Sequence, residues 1–347
     1  MSWETIDPRT EPHWNQWLTS FDDATCFHTA GWANVLSESY GYQPCYAVLR
    51  DGERLAGIMP LMEVRSVWTG NRGVCLPFSD ECAPLLNDPS RLATLIEPLR
   101  ALRLQRGWKY LELRCPVERW PDAVPSKEFL THRLVCERTD ELQFRKLRDS
   151  TRRNVHKARR DGVEIVHLHS PDAVAIFYSL HCLTRQRHGV PPQPAHFFHH
   201  IQKHILEPGN GFVSLARFQN KWIAAAVFFH FGSRAFYKFG ASDMNFQYVR
   251  ANNLLMWEAI AHFRGQGATE FSFGRTDPDD EGLLQFKRGW GAEENTLRYY
   301  RMGMSQKAPP KREGSTGNKA RLVHAVMQRM PLPVLRFVGG MIYRHLN

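Results

Sequence analysis

Residues 212–231 decide the fold, and they run FVSLARFQNKWIAAAVFFHF. Phe212 to Phe218 and Trp222 to Phe231 have the aromatic and β-branched content of strands, and Gln219-Asn220 between them has turn composition. Further predicted elements follow this hairpin: a strand over 234–239, a helix over 252–263 and a strand over 268–273. A hairpin followed by strand, helix and strand predicts a mixed α/β unit.

The same order of elements occurs once before in the chain. Asp51-Gly52 is a strong hairpin signal between two predicted strands, and Gly107 precedes a later strand as Gly267 does in the second series. The turns at 51 and 219 are 168 residues apart, and the glycines at 107 and 267 are 160 residues apart. The earlier elements are strands over 44–50, 54–64 and 73–78, a helix over 90–106 and a strand over 108–113. We predict duplication of one unit, and two unrelated mixed α/β domains are the alternative.

Composition and charge limit the class of protein. A chain of 347 residues is long for one core, and its 43% hydrophobic residues exclude a disordered or fibrous protein. The net charge of +10 is concentrated in segments 145–160 and 307–347, each with eight basic residues against one acid. Two basic segments on a mildly acidic body predict anionic partners at two places, namely phosphates, nucleic acid or a lipid surface.

The cysteine pattern and the composition of successive segments predict the compartment and the domain boundaries. Seven cysteines without a C-x-x-C pair and a polar amino terminus favour a cytoplasmic protein without a transmembrane segment. The predicted segments are a first domain over 1–140, a basic inter-domain helix over 141–162, a second domain with the active site over 163–304, a linker over 305–318 and a basic amphipathic tail over 319–347.

Two basic or aromatic motifs resemble a known family. Residues 146–163 (KLRDSTRRNVHKARRDGV) are similar to the linker helix of the FemAB family, which belongs to the GNAT superfamily. Phe273-Gly274-Arg275, followed by GLLQFKRGWG over 282–291, resembles the same family. Segments of the first half and of the tail look like the FemAB-related proteins of exosortase (PEP-CTERM) and exopolysaccharide systems; they are FHTAGW at 27–32, GIMPL at 57–61, LPFSD at 76–80 and RMPLP at 329–333. The resemblance implies an α/β (α+β) fold of two tandem GNAT-like domains with mixed central sheets.

The resemblance also implies a function. Such a protein moves an acyl or aminoacyl group from acyl-CoA or aminoacyl-tRNA, used as co-substrate, to an amine of a cell-envelope or exopolysaccharide precursor, with no tightly bound cofactor. The acceptor is a small molecule or is lipid-linked. The acetyl-CoA loop of simple GNAT enzymes, Gln/Arg-x-x-Gly-x-Gly/Ala, is absent, which leaves the donor open. The alternatives are a non-catalytic protein that binds RNA or an anionic lipid-linked intermediate, and a plain acetyl-CoA-dependent N-acetyltransferase.

Three residues near the second motif are candidates for chemistry or substrate contact. Lys287 lies beside the apolar face of a short helix, where a cation stabilises an oxyanion, and a lysine in this motif has that role in peptidoglycan-bridge members of the family. Asp277 would accept the proton of the attacking amine, and Arg275 would grip a phosphate or carboxylate. The alternatives are a solvated lysine and a salt bridge within the loop.

Seven further residues are candidates for substrate binding. Tyr237 lies on a strand, and Arg250 and Asn253 lie at the start of the following helix, where backbone N–H groups attract anions. The other four belong to the basic inter-domain helix and would hold a pyrophosphate or an RNA or CoA backbone; they are Arg152, Arg153, Asn154 and Lys157. A solvated helix face is the alternative for these four.

Two other features complete the sequence-based predictions. No metal site is predicted, because His196, His200 and His204 share a helix face with no completing ligand, and the acids at 277–281 suit a helix start. Arg321, Arg329, Arg336 and Arg344 fall broadly on one face of the tail, which suits a membrane-surface helix at the inner face of the membrane. Packing of the tail against the body is the alternative.

Overall fold

The computed structural model describes residues 3–52, 54–115, 120, 123–304 and 318–345. These residues form two compact units. The first contains the described residues of 1–130, 296–313 and 342–347, and the second contains those of 131–295 and 314–341. The unit boundary falls within two strands, so it differs from the boundaries predicted at 140 and 304. The division into duplicated halves at those positions stays a prediction.

In its described residues, the first unit contains two sets of paired strands and three α-helices. Its elements are β1 (Trp3–Ile6), α1 (Trp14–Leu18), α2 (Ala30–Tyr40), β2 (Gln43–Pro44), β3 (Tyr46–Asp51), β4 (Arg54–Met59), β5 (Met62–Val64), β6 (Arg72–Val74), β7 (Leu85–Leu86), α3 (Ile96–Gln105), β8 (Leu111–Leu113) and most of β9 (Ala123–Val135). One sheet has the order β1-β3-β4-β7, and another part of the unit has the order β8-β6-β5-β2, in which β6 and β8 are parallel.

Prolines and left-handed residues shorten the predicted elements of this unit. The strand predicted over 54–64 is divided into β4 and β5 around Pro60, which lacks the N–H that a sheet requires. The strand predicted over 73–78 ends at Val74, because Leu76 and Phe78 have positive φ angles of 45° and 60°. The helix predicted over 90–106 begins as a 3-10 helix and becomes α3, with Pro98 in the first turn, where its missing N–H costs nothing.

The second unit contains a larger sheet with helices against it. Its elements are α4 (Asp140–Lys146), α5 (Asp149–Arg160), β10 (Glu164–Leu168), α6 (Pro171–Arg187), α7 (Ala195–Ile201), β11 (Gly211–Phe218), β12 (Lys221–Phe231), β13 (Arg234–Ser242), α8 (Ala251–Gly265), β14 (Glu270–Thr276), α9 (Glu281–Arg288), the start of β15 (Glu293–Met302), α10 (Asn318–Arg329) and α11 (Leu332–Ile342). The strand order is β10-β11-β12-β13-β14-β9.

Residues 212–231 form β11 and β12 in the centre of this sheet. Gln219 and Asn220 have φ angles of 49° and 61°, so the turn between β11 and β12 matches the twist of the hairpin. β13 and β14 are parallel and joined by α8, and they pair over Arg234–Phe236 and Glu270–Ser272, at the start of each strand. The apolar residues of α8 are buried, and the mixed α/β unit predicted from the sequence is confirmed.

The basic segment is not one helix, contrary to the prediction of a continuous helix over 141–162. It breaks between α4 and α5, where Leu147 is extended with ψ of 143° and its side chain is buried. The backbone N–H of Arg148 donates to the carbonyl of Gly289 at 3.0 Å instead of continuing a helix. Both helices lie within the second unit, and α5 ends before Gly162, whose φ is +84°.

The tail forms two helices of the second unit and a last turn in the first unit. The Arg336 guanidinium lies 5.3 Å from the ring centre of Tyr178 and donates to the Cys182 sulfur, so this arginine packs on the body. Arg336 therefore fits the alternative of packing against the body, and the membrane-surface role of the tail stays a prediction. The linker predicted over 305–318 lies almost wholly outside the described residues. Within the described parts of the chain, no helix combines the length and the apolar character that crossing a bilayer requires.

Candidate active site

A polar cavity of about 480 Å³ opens in the second unit. The first turns of α5 and α8 line it, together with the end of β13, the loop over 243–250 and one side of α9. Of the residues predicted for substrate binding, Asn154, Arg250 and Asn253 line this cavity. The structure thus brings together residues that are about a hundred positions apart in the sequence.

Two helices begin at this cavity without a side-chain cap. Arg148 is the N-cap residue of α5 and Arg250 that of α8, and neither side chain accepts a hydrogen bond from its helix. The first N–H groups of a helix have no partner within it and carry its positive dipole end. By contrast, the Asp280 carboxylate accepts from the N–H of Leu283 at 3.1 Å and caps α9. The cavity therefore offers N–H donors and two guanidinium groups to an anion.

Arg250 has a backbone conformation that favours glycine. Its φ of 60° lies in the left-handed region, and its N–H donates to the carbonyl of Gln247 at 3.2 Å. A left-handed arginine costs about 1 kcal/mol or more relative to glycine, so the backbone at this cavity is strained.

An apolar cavity of about 140 Å³ adjoins the polar one. The two share Asn252 and Phe286 among their lining residues, so they lie side by side. The other residues of the smaller cavity are Ala225, Ala226, Tyr237, Leu255, Met256 and Leu283. The combination suits a ligand with a charged part and an adjacent apolar or small acyl part.

Tyr237 lies in the apolar cavity, as predicted for a cleft residue. Burial raises its pKa to about 12, so its hydroxyl stays protonated at neutral pH and can donate a hydrogen bond. Gly240 makes room for this hydroxyl, because a Cβ at position 240 would lie 1.8 Å from the Tyr237 oxygen. Glycine at position 240 therefore leaves the space that the Tyr237 hydroxyl occupies.

The two family-like motifs contact each other beside the cavity. A Cβ at Gly289 would lie 2.4 Å from the Thr151 hydroxyl, and one at Gly291 would lie 2.8 Å from the carbonyl of Lys146. Glycines at these positions let the end of α9 pack directly on the start of α5. The contact holds the uncapped first turn of α5 in place.

Lys287 is buried away from both cavities, with 2% of its surface exposed. Its ammonium donates to the carbonyls of Gly274 at 3.0 Å and Arg275 at 3.1 Å, at the end of β14. Burial first, and then the Lys287 charge, lower the pKa of the neighbouring His132, whose Nε2 lies 2.9 Å from the Glu294 carboxylate. The observed contacts are those of a cation that fixes a strand end.

Arg275 lies near the end of β14, and Asp277 begins the loop between β14 and α9. The exposed Asp277 carboxylate accepts from the N–H of Asp279 at 3.2 Å, and its carbonyl accepts from Asp280 at 3.0 Å, which forms a turn. Neither Asp277 nor the half-exposed Arg275 is among the residues that line the two cavities. Their predicted roles stay predictions.

The basic helix contributes less to the cavity than its charge suggests. Arg152 pairs with Asp149, Lys157 pairs with Asp161, and Arg153 is exposed to solvent. These three are absent from the cavity lining, which takes only Asn154 from the predicted set on α5.

Arg148 and Asp243 line the cavity but were not predicted from the sequence. Asp243 directly follows β13, and its carboxylate accepts from the N–H of Asn245 at 2.9 Å. A carboxylate just after a strand end is the signal that could have identified it. Arg148 was hidden within the basic run, because the break between α4 and α5 decides which of the arginines faces the cavity.

Comparison with known proteins agrees with this arrangement. Residues 145–288 match the family model described as an acetyltransferase (GNAT) domain, and both cavities are lined by residues of that range. The chain therefore carries a GNAT-type acetyltransferase domain in its second unit. The predicted enzyme class, an acyltransferase of the GNAT type, is confirmed at the level of this domain.

Relatives and solved structures extend the comparison. A lipid II:glycine glycyltransferase of Staphylococcus epidermidis is 32% identical over 76 residues, which are 20% of this chain and 18% of that protein. The chain thus matches less than a fifth of the length of this curated relative. The crystal structure of FemX superposes with a TM-score of 0.71 at 13% identity, covering 87% of this chain and 97% of FemX. A tandem GNAT protein from the clavulanic acid biosynthesis pathway gives a TM-score of 0.54 at 10% identity, covering 86% and 97%. These structures confirm the predicted fold of two tandem GNAT-like domains.

Proposed function

We propose that this chain, with a GNAT-type domain in its second unit, transfers an acyl or aminoacyl group to an amine of a cell-envelope or exopolysaccharide precursor. One observation carries the proposal: the N-termini of α5 and α8, which have no side-chain cap, line a polar cavity that shares Asn252 and Phe286 with an adjacent apolar cavity. An activated donor has the matching parts, since acyl-CoA and the acceptor end of aminoacyl-tRNA both join phosphates to an acyl ester or thioester.

In this proposal the donor phosphates bind the first turns of α5 and α8 with Arg148 and Arg250. The N–H donors and guanidinium groups offset the phosphate charge. The acyl end extends past Asn252 and Phe286 toward Tyr237. The two candidate donors, acyl-CoA and aminoacyl-tRNA, share this chemistry, and a donor screen distinguishes them.

The reaction needs one proton acceptor and one donor. The acceptor amine attacks the acyl carbonyl, a C–N bond forms, and the C–S or C–O bond to the donor breaks. We assign the amine proton to the Asp243 carboxylate, which lines the cavity. Tyr237, protonated at neutral pH, donates to the leaving sulfur or oxygen. Lys287 is a positioning residue in this scheme, because it binds the end of β14.

A second function is favoured by a specific observation. Lys287, whose role is implied by the family resemblance, and Asp277, predicted as the proton acceptor, are not in the lining of either cavity. A binding protein for RNA or for an anionic lipid-linked intermediate would need the anion site without that pair. A plain acetyl-CoA-dependent N-acetyltransferase is a narrower form of the main proposal.

A donor screen separates these functions. The purified chain is incubated with acyl-CoAs or aminoacyl-tRNAs and with amine acceptors, including lipid-linked peptidoglycan precursors, and products are identified by mass spectrometry. The proposal predicts an N-acylated or N-aminoacylated product that Asp243→Asn reduces strongly and Asp277→Asn does not. Salt-sensitive binding of RNA or anionic lipid without product from any donor would support the binding protein instead.

A cytoplasmic location belongs to this proposal. All seven cysteines are free thiols, six of them buried, as is usual in a reducing compartment. Aminoacyl-tRNA and acyl-CoA are also made there. Fractionation of cells into cytoplasmic, membrane and periplasmic material tests the location directly.

A further inference from the structure

One contact between α10 and the second unit is a polar hydrogen bond. The Gln328 side-chain amide donates to the carbonyl of Arg187 at 2.9 Å. Leu322, Val323 and Val326 lie on another side of the helix and are 66%, 49% and 52% exposed. A surface helix ordinarily buries its apolar side and exposes its polar side. α10 instead exposes Leu322, Val323 and Val326 together with its polar residues, so this apolar side is not explained by the packing of the unit.

α11 shows the same separation more clearly. Leu335 is fully buried, and Gly339 lies so close to neighbouring backbone that a Cβ there would meet an atom at 2.0 Å. Val334, Phe337 and Met341 follow an i, i+3, i+7 spacing on the opposite side and are 47%, 69% and 50% exposed. One side of α11 therefore packs on the unit, and an apolar side with a large aromatic group faces solvent.

The charged side chains of residues 314–347 are all basic. No aspartate or glutamate occurs between residues 314 and 347, whereas Arg321 and Arg329 are exposed on α10. Exposed apolar side chains next to arginines, with no carboxylate among them, complement the interface of an anionic lipid bilayer.

We propose that the exposed apolar sides of α10 and α11 dock on the surface of an anionic lipid bilayer. The leucine, valine, phenylalanine and methionine side chains enter the boundary between head groups and acyl chains, and the arginines bind the lipid phosphates. The docking is peripheral and does not depend on the transferase chemistry. A second copy of the chain is the competing occupant, but two like-charged surfaces of this composition would repel each other.

Vesicle co-sedimentation of the full-length chain tests this surface. The vesicles contain phosphatidylcholine alone or phosphatidylcholine with phosphatidylglycerol. The test variant is Leu322→Ser with Phe337→Ser, both at exposed positions where loss of folding is not expected. The matched control is Leu104→Ser on α3, since Leu104 is 64% exposed and lies in the first unit. Circular dichroism confirms that each variant is folded.

We expect the chain to bind the vesicles that contain phosphatidylglycerol and to bind them less in high salt. The double variant should bind about tenfold more weakly, because two large apolar side chains no longer enter the bilayer. Leu104→Ser should bind like the original chain. The proposal is overturned if the original chain does not sediment with anionic vesicles or if the double variant binds equally well. It is also overturned if light scattering finds a dimer that the double variant abolishes.

Discussion

Two polar regions of the second unit differ in how their groups are paired. At the cavity, α5 and α8 begin without side-chain caps, and a left-handed arginine is retained. Around Lys287, by contrast, the buried ammonium is held by two carbonyls, and Glu294 binds both His132 and Arg288. Polar groups that stabilise a protein's own fold are hydrogen-bonded within it, whereas groups that bind a ligand keep hydrogen-bonding capacity for that ligand. This contrast supports the proposal that the cavity binds the donor and that Lys287 positions the end of β14.

Replacing Lys287 should have the largest effect on stability. In Lys287→Met, the carbonyls of Gly274 and Arg275 lose their donor in a buried place, which should cost roughly 2–4 kcal/mol of unfolding free energy. Urea denaturation measures the loss. Arg288→Met is the matched control, because Arg288 is largely exposed and pairs only at the surface. A Lys287→Met protein with unchanged stability and no activity would instead favour the oxyanion role implied by the family resemblance.

Gly240→Ala should have the next largest effect, because its Cβ would overlap the Tyr237 hydroxyl. We expect a loss of about 1–3 kcal/mol in unfolding free energy, as for other overpacked sites. Combining it with Tyr237→Phe removes the oxygen and should recover part of that loss. Independent, additive losses in the double variant would show that the hydroxyl does not lie over Gly240.

Adding a cap to α5 and removing the cap of α9 tests whether the first turn of α5 lacks hydrogen-bond partners that α9 has. Arg148→Asp supplies a carboxylate at the start of α5 and should stabilise the chain by about 1 kcal/mol while weakening anion binding. Asp280→Ala removes the existing cap of α9 and should destabilise it by about 1 kcal/mol. Thermal melting of both variants gives the sign of each change. If Arg148→Asp instead lowers the melting temperature, the N–H groups at the start of α5 already have hydrogen-bond partners.

The smallest effect concerns pH. The pKa of His132 in the folded chain is lowered, chiefly by burial and then by Lys287, below its ordinary value of 6.5. Below that value the unfolded chain binds a proton that folded His132 resists, so stability falls as pH decreases from 7.5 toward 5.5. His132→Gln should reduce this slope by a few tenths of a kcal/mol. Denaturation of both proteins at two pH values measures it, and identical slopes would contradict the assignment.

The fold was accessible from the sequence because its signals are local. Gln219-Asn220 and Asp51-Gly52 mark turns that the backbone needs, and Gly162 ends α5 as predicted. The site was only partly accessible, because it depends on which side of an element faces the cavity. Asn154, Arg250, Asn253 and Tyr237 were predicted and line it, whereas Lys287 points from the same short helix as Phe286 in a different direction.

The missed residues have a common physical cause. The break between α4 and α5 arises from a long-range hydrogen bond between Arg148 and Gly289. No periodicity within residues 141–162 shows that contact, so the sequence predicts one continuous helix and distributes function over its arginines. Only the tertiary structure selects Arg148 from among them.

Calorimetric binding of coenzyme A and of a tRNA acceptor-stem mimic tests the central claim most directly. Arg250→Gly keeps the left-handed backbone and removes the guanidinium, while Arg153→Gln removes an equal charge from the exposed side of α5. We expect one of the two ligands to bind the original chain, to bind Arg250→Gly about tenfold more weakly and to bind Arg153→Gln with unchanged affinity. Equal weakening in both variants, or no binding of either ligand, would contradict a donor site at the N-termini of α5 and α8.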